Sequence, residues 1–138
     1  MKELSIITIN YNGLNDTCAL IETIPNNDKL EVIVVDNASK NQEAEADTIS
    51  KKYPHVKVIK SDKNLGFAGG NNLGIRTAQG KYLFFINNDT IFRKFNVQSL
   101  IDRLESSPDI AVVCPKIRFA WGSHPIQFTG YTPLTKIT

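Results

Sequence analysis

The segment Tyr82-Leu83-Phe84-Phe85-Ile86-Asn87-Asn88-Asp89-Thr90 passes from five consecutive aliphatic or aromatic residues into two amides, a carboxylate and a hydroxyl. Such a run, with Gly80 just ahead of it, suits a strand covered on both faces of a sheet better than a one-faced helix. Its polar oxygens then collect at the carboxyl end, which faces the ligand crevice in open α/β sheets. A lone aspartate flanked by amide carbonyls offers hard oxygen donors of the kind Mg²⁺ or Mn²⁺ prefers. The stretch is therefore expected to be where a metal and a diphosphate meet, although the same residue types also favour strand-ending turns.

Working outward, two more strands end in polar clusters. Leu4 to Tyr11 is rich in β-branched residues and closes at the turn signal Asn12-Gly13, and Leu30 to Val35 discharges into Asp36-Asn37-Ala38-Ser39. Between them Leu14, Cys18, Ile21 and Ile24 fall at helical spacing until Pro25. Residues 40–53 read as a surface helix ending before Pro54, and Val56 to Ile59 as a shorter strand. The glycine- and asparagine-rich stretch from Asp62 to Gly74 runs into a short helix through Ala78. After Tyr82 to Ile86, a helix carrying Val97, Leu100, Ile101 and Leu104 stops at Pro108, and a fifth strand is expected over Ile110 to Cys114. Lys116 to Thr138 shows no sustained period and reads as irregular, with one strand near Ile126. Strands alternating with helices over short connections imply a mostly parallel, Rossmann-like α/β sheet flanked by helices.

The chain of 138 residues suffices for one domain with its own core. Sixteen basic against 14 acidic residues, without a basic stripe, give no sign of a nucleic-acid partner. Cys18 and Cys114 sit in apolar patterns and read as buried free thiols. No apolar run approaches membrane-spanning length and no leader pattern opens the chain, so a cytoplasmic location is expected.

In a parallel sheet the ends at Tyr11-Asn12, Asp36-Asn37 and Asn87-Asn88-Asp89 lie along one edge. A crevice there could hold a nucleotide, with backbone groups near Thr8 and Ile9 and the Tyr11 ring against the base, and the Asp36 carboxylate accepting from a base N–H. Glycines at 66, 69, 70 and 74 follow the third strand, so neither their place nor their spacing matches a dinucleotide fingerprint. There is no G-x-x-x-x-G-K-[ST] phosphate loop and no Cys/His set with zinc spacing. His55 reads as structural, while His124 lies in the irregular tail, where a metal-site or lid residue could sit. A flavodoxin-like signalling domain, with a metal at Asp36 and no nucleotide, is the competing reading from another class.

Four motifs in order carry a resemblance: Ser5-Ile6-Ile7-Thr8-Ile9-Asn10-Tyr11-Asn12, Val34-Val35-Asp36-Asn37-Ala38-Ser39, Asn64 to Gly74 and Ile86-Asn87-Asn88-Asp89. Together, over roughly residues 4–115, they resemble the donor half of family 2 glycosyltransferases of the GT-A fold, and most of all a rhamnosyltransferase-like branch that assembles surface polysaccharides. The resemblance implies an inverting transfer from a dTDP- or UDP-sugar to a glycan or lipid-linked acceptor, often at the inner face of the membrane. It implies that Thr8, Ile9, Tyr11 and Asp36 hold the base, that Asn64 and Gly66 shape the donor pocket, and that Asn87 and Asn88 lie near ribose or sugar. Asp89 would then ligate Mg²⁺ or Mn²⁺. Asn87 replaces the first aspartate of the family's Asp-x-Asp signature, which weakens metal affinity, and Gly70-Asn71-Asn72 stands where many relatives carry Ala-Arg-Asn. A basic phosphate contact would fall to Lys63 or Arg76.

An inverting transfer also needs a general base beside the acceptor. After Asp89 the acidic residues are Asp102, Glu105 and Asp109, all on or at the end of a helix with a solvated face. The expectation is a truncated, amino-terminal donor portion: residues 1–115 the nucleotide-sugar core, and 116–138 a tail leading toward an acceptor-binding half. Such a chain binds donor but transfers sugar poorly or not at all. The alternative within the family is a catalytically incompetent nucleotide-binding or structural remnant.

Overall fold

A computed structural model of the protein describes residues 2–128. They fall into two compact units, divided between Phe95 and Asn96.

The first unit holds β1 (Leu4–Asn10), α1 (Leu14–Glu22), β2 (Leu30–Asp36), α2 (Gln42–Lys52), β3 (Val56–Lys60), α3 (Gly66–Ile75) and β4 (Tyr82–Phe85). Its sheet has the order β3-β2-β1-β4, and every pairing is parallel. The inner strands β1 and β2 are the continuous apolar runs, with Ile6, Ile7, Ile33, Val34 and Val35 all inaccessible to solvent. Because side chains alternate along a strand, Ile7, Ile33 and Val35 form one face of the sheet, packed with Ile59, Leu73 and Ala78. That face is covered by α3. Gly74 makes the close approach possible, since a Cβ there would stand 2.6 Å from Ile7 Cγ2 and 3.3 Å from Val35 Cγ2. The opposite face carries Ile6, Thr8 and Asn10 and meets α1 and α2, which bury Leu20, Ile21, Ala46 and Ile49. The two helices are also tied at their ends, where Lys52 Nζ and Tyr53 Oη both donate to Glu22 Oε1, at 2.7 and 2.8 Å.

The strand that anchors the sequence reading lies elsewhere than expected. β4 pairs only with β1 among the described residues, and it is an edge strand with Leu83 and Phe85 exposed. Phe84, pointing the other way, packs on Phe92, which in turn meets Phe95 edge-on. An unbroken apolar run fixes strand character; its rank within the sheet depends on which partners pair with it.

In the second unit α4 (Gln98–Glu105) forms the expected helix, and β5 (Ile117–Arg118) pairs antiparallel with β6 (Ile126–Phe128), the strand expected near Ile126. Ile110 to Cys114 form no strand. Their β-branched residues find no ladder among the described residues, and Val112 and Cys114 are exposed, so the buried thiol expected at 114 is not observed. Cys18 is half-buried, and both thiols are free. The expected irregular tail beyond Phe128, including Tyr131, lies outside the described residues.

Candidate functional site

The three polar strand ends share one edge of the sheet. β1 pairs with β2 as far as Asn10↔Asp36, whereas its register with β4 ends three residues earlier, at Ile7↔Phe85. The strands therefore part beside Ile9 and leave a notch. It opens into a cleft of about 300 Å³ whose walls include Ile9, Tyr11, Asn64, Gly66, Asn87 and Asn88. Six of the nine residues selected from sequence are thus brought together.

Asn37 and Phe67 complete the lining; the sequence placed Asn37 in a polar strand end and Phe67 in the glycine-rich motif, but neither was singled out as a site residue. Asn37, only 3% exposed, donates through Nδ2 to Asn64 Oδ1 (3.1 Å) and to the Gly66 carbonyl (3.2 Å). Its Oδ1 accepts from Leu65 N at 2.9 Å, so one side chain holds the loop that opens α3. Gly66, at φ +68, turns in a region that penalises any side chain. Phe67, two-thirds exposed, and Tyr11, half exposed, present aromatic surface to the cleft. Alternation could have found Asn37: it lies two residues past Val35 and so on the same face as Ile9.

Thr8, Asp36 and Asp89 are not part of the wall. Asp36 is inaccessible, and its oxygens accept from Asn10 Nδ2 (2.7 Å), Ser39 N (2.9 Å) and Gln42 Nε2 (3.0 Å). The expected acceptor for a base N–H is therefore committed inside the protein, as is the metal ligand a flavodoxin-like reading needs. The neighbouring Asn37 occupies the place at the wall. Thr8 points into the α1/α2 face, where its buried Oγ1 has no hydrogen-bond partner. Asp89 is exposed in a turn closed by Thr90 N donating to the Asn87 carbonyl at 3.2 Å. Among the described residues no three His, Cys, Asp or Glu side chains gather as a metal cluster. His124 Nδ1 lies 3.1 Å from the Phe119 carbonyl.

Asn88 links the β4 turn to the rest of the site. Its Nδ2 lies 3.0 Å from Thr17 Oγ1 and 3.4 Å from the Gly13 carbonyl. Parallel strands, the crevice at their carboxyl ends and the Asn-Asn-Asp turn agree with the family model described as Glycosyl transferase family 2, which matches residues 5–130. The chain belongs to that family.

Among its relatives, an uncharacterized glycosyltransferase of Haemophilus influenzae is 33% identical over 133 residues, covering 90% of this chain and 44% of that protein. The amylovoran biosynthesis glycosyltransferase AmsB of Erwinia amylovora is 29% identical, covering 79% of this chain and 40% of its own. The chain thus spans less than half the length of these curated relatives. Solved structures agree on the GT-A fold, a mostly parallel sheet flanked by helices. Mannosyltransferase PcManGT from Pyrobaculum calidifontis, in complex with GDP-Man and Mn²⁺, superposes with a TM-score of 0.65 at 20% identity, covering 77% of this chain and 33% of that one. S. aureus TarS 1-349 in complex with UDP-GlcNAc gives 0.62 at 23% identity, covering 75% and 31%.

Proposed function

We propose that this chain is the donor-binding portion of an inverting glycosyltransferase of the rhamnosyltransferase-like branch. It takes a dTDP- or UDP-sugar, and its partner substrate is a glycan or lipid-linked acceptor in surface-polysaccharide synthesis. The observation that carries the reading is the single cleft joining Tyr11 and Asn37 on one wall to the Asn87-Asn88 turn on the other. The AmsB relative, named for amylovoran biosynthesis, and the nucleotide-sugar complexes of TarS and PcManGT support it.

In this reading the main chain at Thr8 and Ile9 meets the base in the notch where β1 leaves β4, and Tyr11 offers its ring. Asn64 and Gly66 form the loop side, while Asn87 and Asn88 face ribose or sugar. Asp36 acts from below, as the buried acceptor that joins β1, β2 and α2.

The chain's own donors fit a divalent ion of the Mg²⁺ or Mn²⁺ kind. Asp89 is an exposed carboxylate, and Asn88, with Nδ2 engaged inward, has Oδ1 left as a hard oxygen at the cleft. One carboxylate plus neutral oxygens is the protein share in sites completed by substrate phosphates and water. Such an ion, when bound, neutralises charge that builds on the departing diphosphate.

No helix among the described residues is long and apolar enough to cross a membrane. A cytoplasmic position at the inner membrane face suits a lipid-linked acceptor. Calorimetric titration of UDP and dTDP, with and without Mn²⁺, tests the proposal. Binding promoted by Mn²⁺ and lost in Asp89→Ala supports it; indifference to nucleotide, metal and substitution leaves the structural-remnant reading.

A further inference from the structure

Thr17 lies one turn into α1, inaccessible to solvent, and its hydroxyl stands between two amides. Its Oγ1 donates to Asn10 Oδ1 at 2.9 Å and accepts from Asn88 Nδ2 at 3.0 Å. The direction of this chain of bonds is set at its far end. Asn10 Nδ2 lies 2.7 Å from Asp36 Oδ2 and 2.6 Å from Glu45 Oε2, and carboxylate oxygens only accept. The Asn10 amide must therefore turn its two N–H bonds toward the carboxylates and its carbonyl toward Thr17. A hydroxyl has a single proton to give. Having given it to Asn10, Thr17 can offer Asn88 only a lone pair, so Asn88 must answer with its NH₂ group, an orientation that the Gly13 carbonyl supports from 3.4 Å. The remaining end of the Asn88 amide, the carbonyl oxygen, is what the cleft receives.

We propose that Thr17 is a positioning residue for the donor site: it transmits the polarity set by Asp36 and Glu45 to Asn88, fixing that side chain to present an acceptor to ligand. Resting on the donor-binding reading, this defines what that corner of the cleft recognises. An outward carbonyl oxygen suits a divalent cation or the hydroxyls of a ribose or sugar and repels phosphate oxygens. The relay also joins residues from β1, α1, β2, α2 and the turn after β4, so the site's two walls share one polarity.

Thr17→Val removes the hydroxyl at nearly constant shape, and Thr17→Ser keeps it. In nucleotide-free protein, NMR of the Asn88 side-chain amide should show slow hydrogen exchange in the wild type and Thr17→Ser, and exchange at least about tenfold faster in Thr17→Val. In calorimetry with UDP and Mn²⁺, Thr17→Val should lose on the order of tenfold in affinity and Thr17→Ser less than about twofold. In an Asn88→Ala background Thr17→Val should cost nothing further, because the side chain it positions is gone. An unchanged Asn88 amide in Thr17→Val overturns the proposal, as does full Mn²⁺-dependent affinity in Asn88→Ala, a variant on a half-exposed turn that tests the idea even if Thr17→Val does not fold. If the wild type binds no UDP, the donor reading fails, and the amide measurement alone decides for or against the relay.

Discussion

The two walls of the cleft are built differently. On the β1/β2 side, Asp36, Asn37 and Ser39 are buried and bonded to four neighbouring segments, so the wall exists before any ligand arrives. On the β4 side the ladder has already ended, and the Asn87-Asn88-Asp89 turn is held to α1 through Asn88. Under the proposed donor binding, a wall that recognises a rigid planar base gains from being preformed, because no ordering cost is left for binding. A wall that must admit a hydrated ion and a flexible diphosphate gains from open coordination positions. The contrast predicts that substitutions on the first side damage stability, while those on the second damage ligand binding alone.

The largest effect should come from Asp36→Ala, which takes a partner from three donors, Asn10 Nδ2, Ser39 N and Gln42 Nε2. It should lower unfolding free energy by about 3 kcal/mol in denaturant titration, by the cost of buried unpaired groups; a loss below about 1 kcal/mol would erase the difference between the walls. Asp89→Ala is its counterpart, with the same titration expected to move by less than about 0.5 kcal/mol. Asn37→Ala should fall between, costing about 2 kcal/mol and weakening UDP binding equally with and without Mn²⁺, since it frees the α3 loop. A metal-dependent loss there would assign Asn37 to the other wall.

Thr8→Val should act in the opposite direction. Among the buried side-chain nitrogens and oxygens of the described residues, Thr8 Oγ1 alone has no hydrogen-bond partner, and replacing it should add about 1 kcal/mol without changing UDP affinity, because the base contact proposed there is main-chain. The smallest effect belongs to Glu22, outside both walls. Hydrogen bonds from Lys52 and Tyr53, with the Lys52 charge, hold its carboxyl below the usual 4.5. A depressed carboxylate contributes above its unfolded pKa and loses that contribution as pH falls through its folded one. Glu22→Gln should thus shift the melting temperature slightly at pH 7 and by less as the pH falls below the usual carboxylate range, with the shift at pH 7 shrinking in high salt.

Much of this was legible in the sequence, for identifiable reasons. β1 and β2 announced themselves because a strand buried on both faces must be apolar throughout, and the motif residues fell at their carboxyl ends because parallel topology puts them there. β4 was found but misranked, since Leu83 and Phe85 look the same whether covered or bare. Ile110 to Cys114 carried strand propensity but find no strand to pair with among the described residues. Asp36 drew attention as a charge, yet alternation turns it away from the cleft and brings Asn37 in. Thr17 gave no signal, because a threonine inside an amphipathic helix is ordinary until the neighbours of its hydroxyl are known.

The glycines of α3 carry one more implication. Besides Gly74, a methyl at Gly70 would come within 2.9 Å of Ile9 Cδ1, at the floor of the cleft. Because that tip is the free end of a flexible side chain, residue size at position 70 acts as a shim behind Ile9, pressing its Cδ1 aside within the lining. Enlarging that shim by single carbons offers a way to reshape the cleft at Ile9 without replacing any residue of its wall.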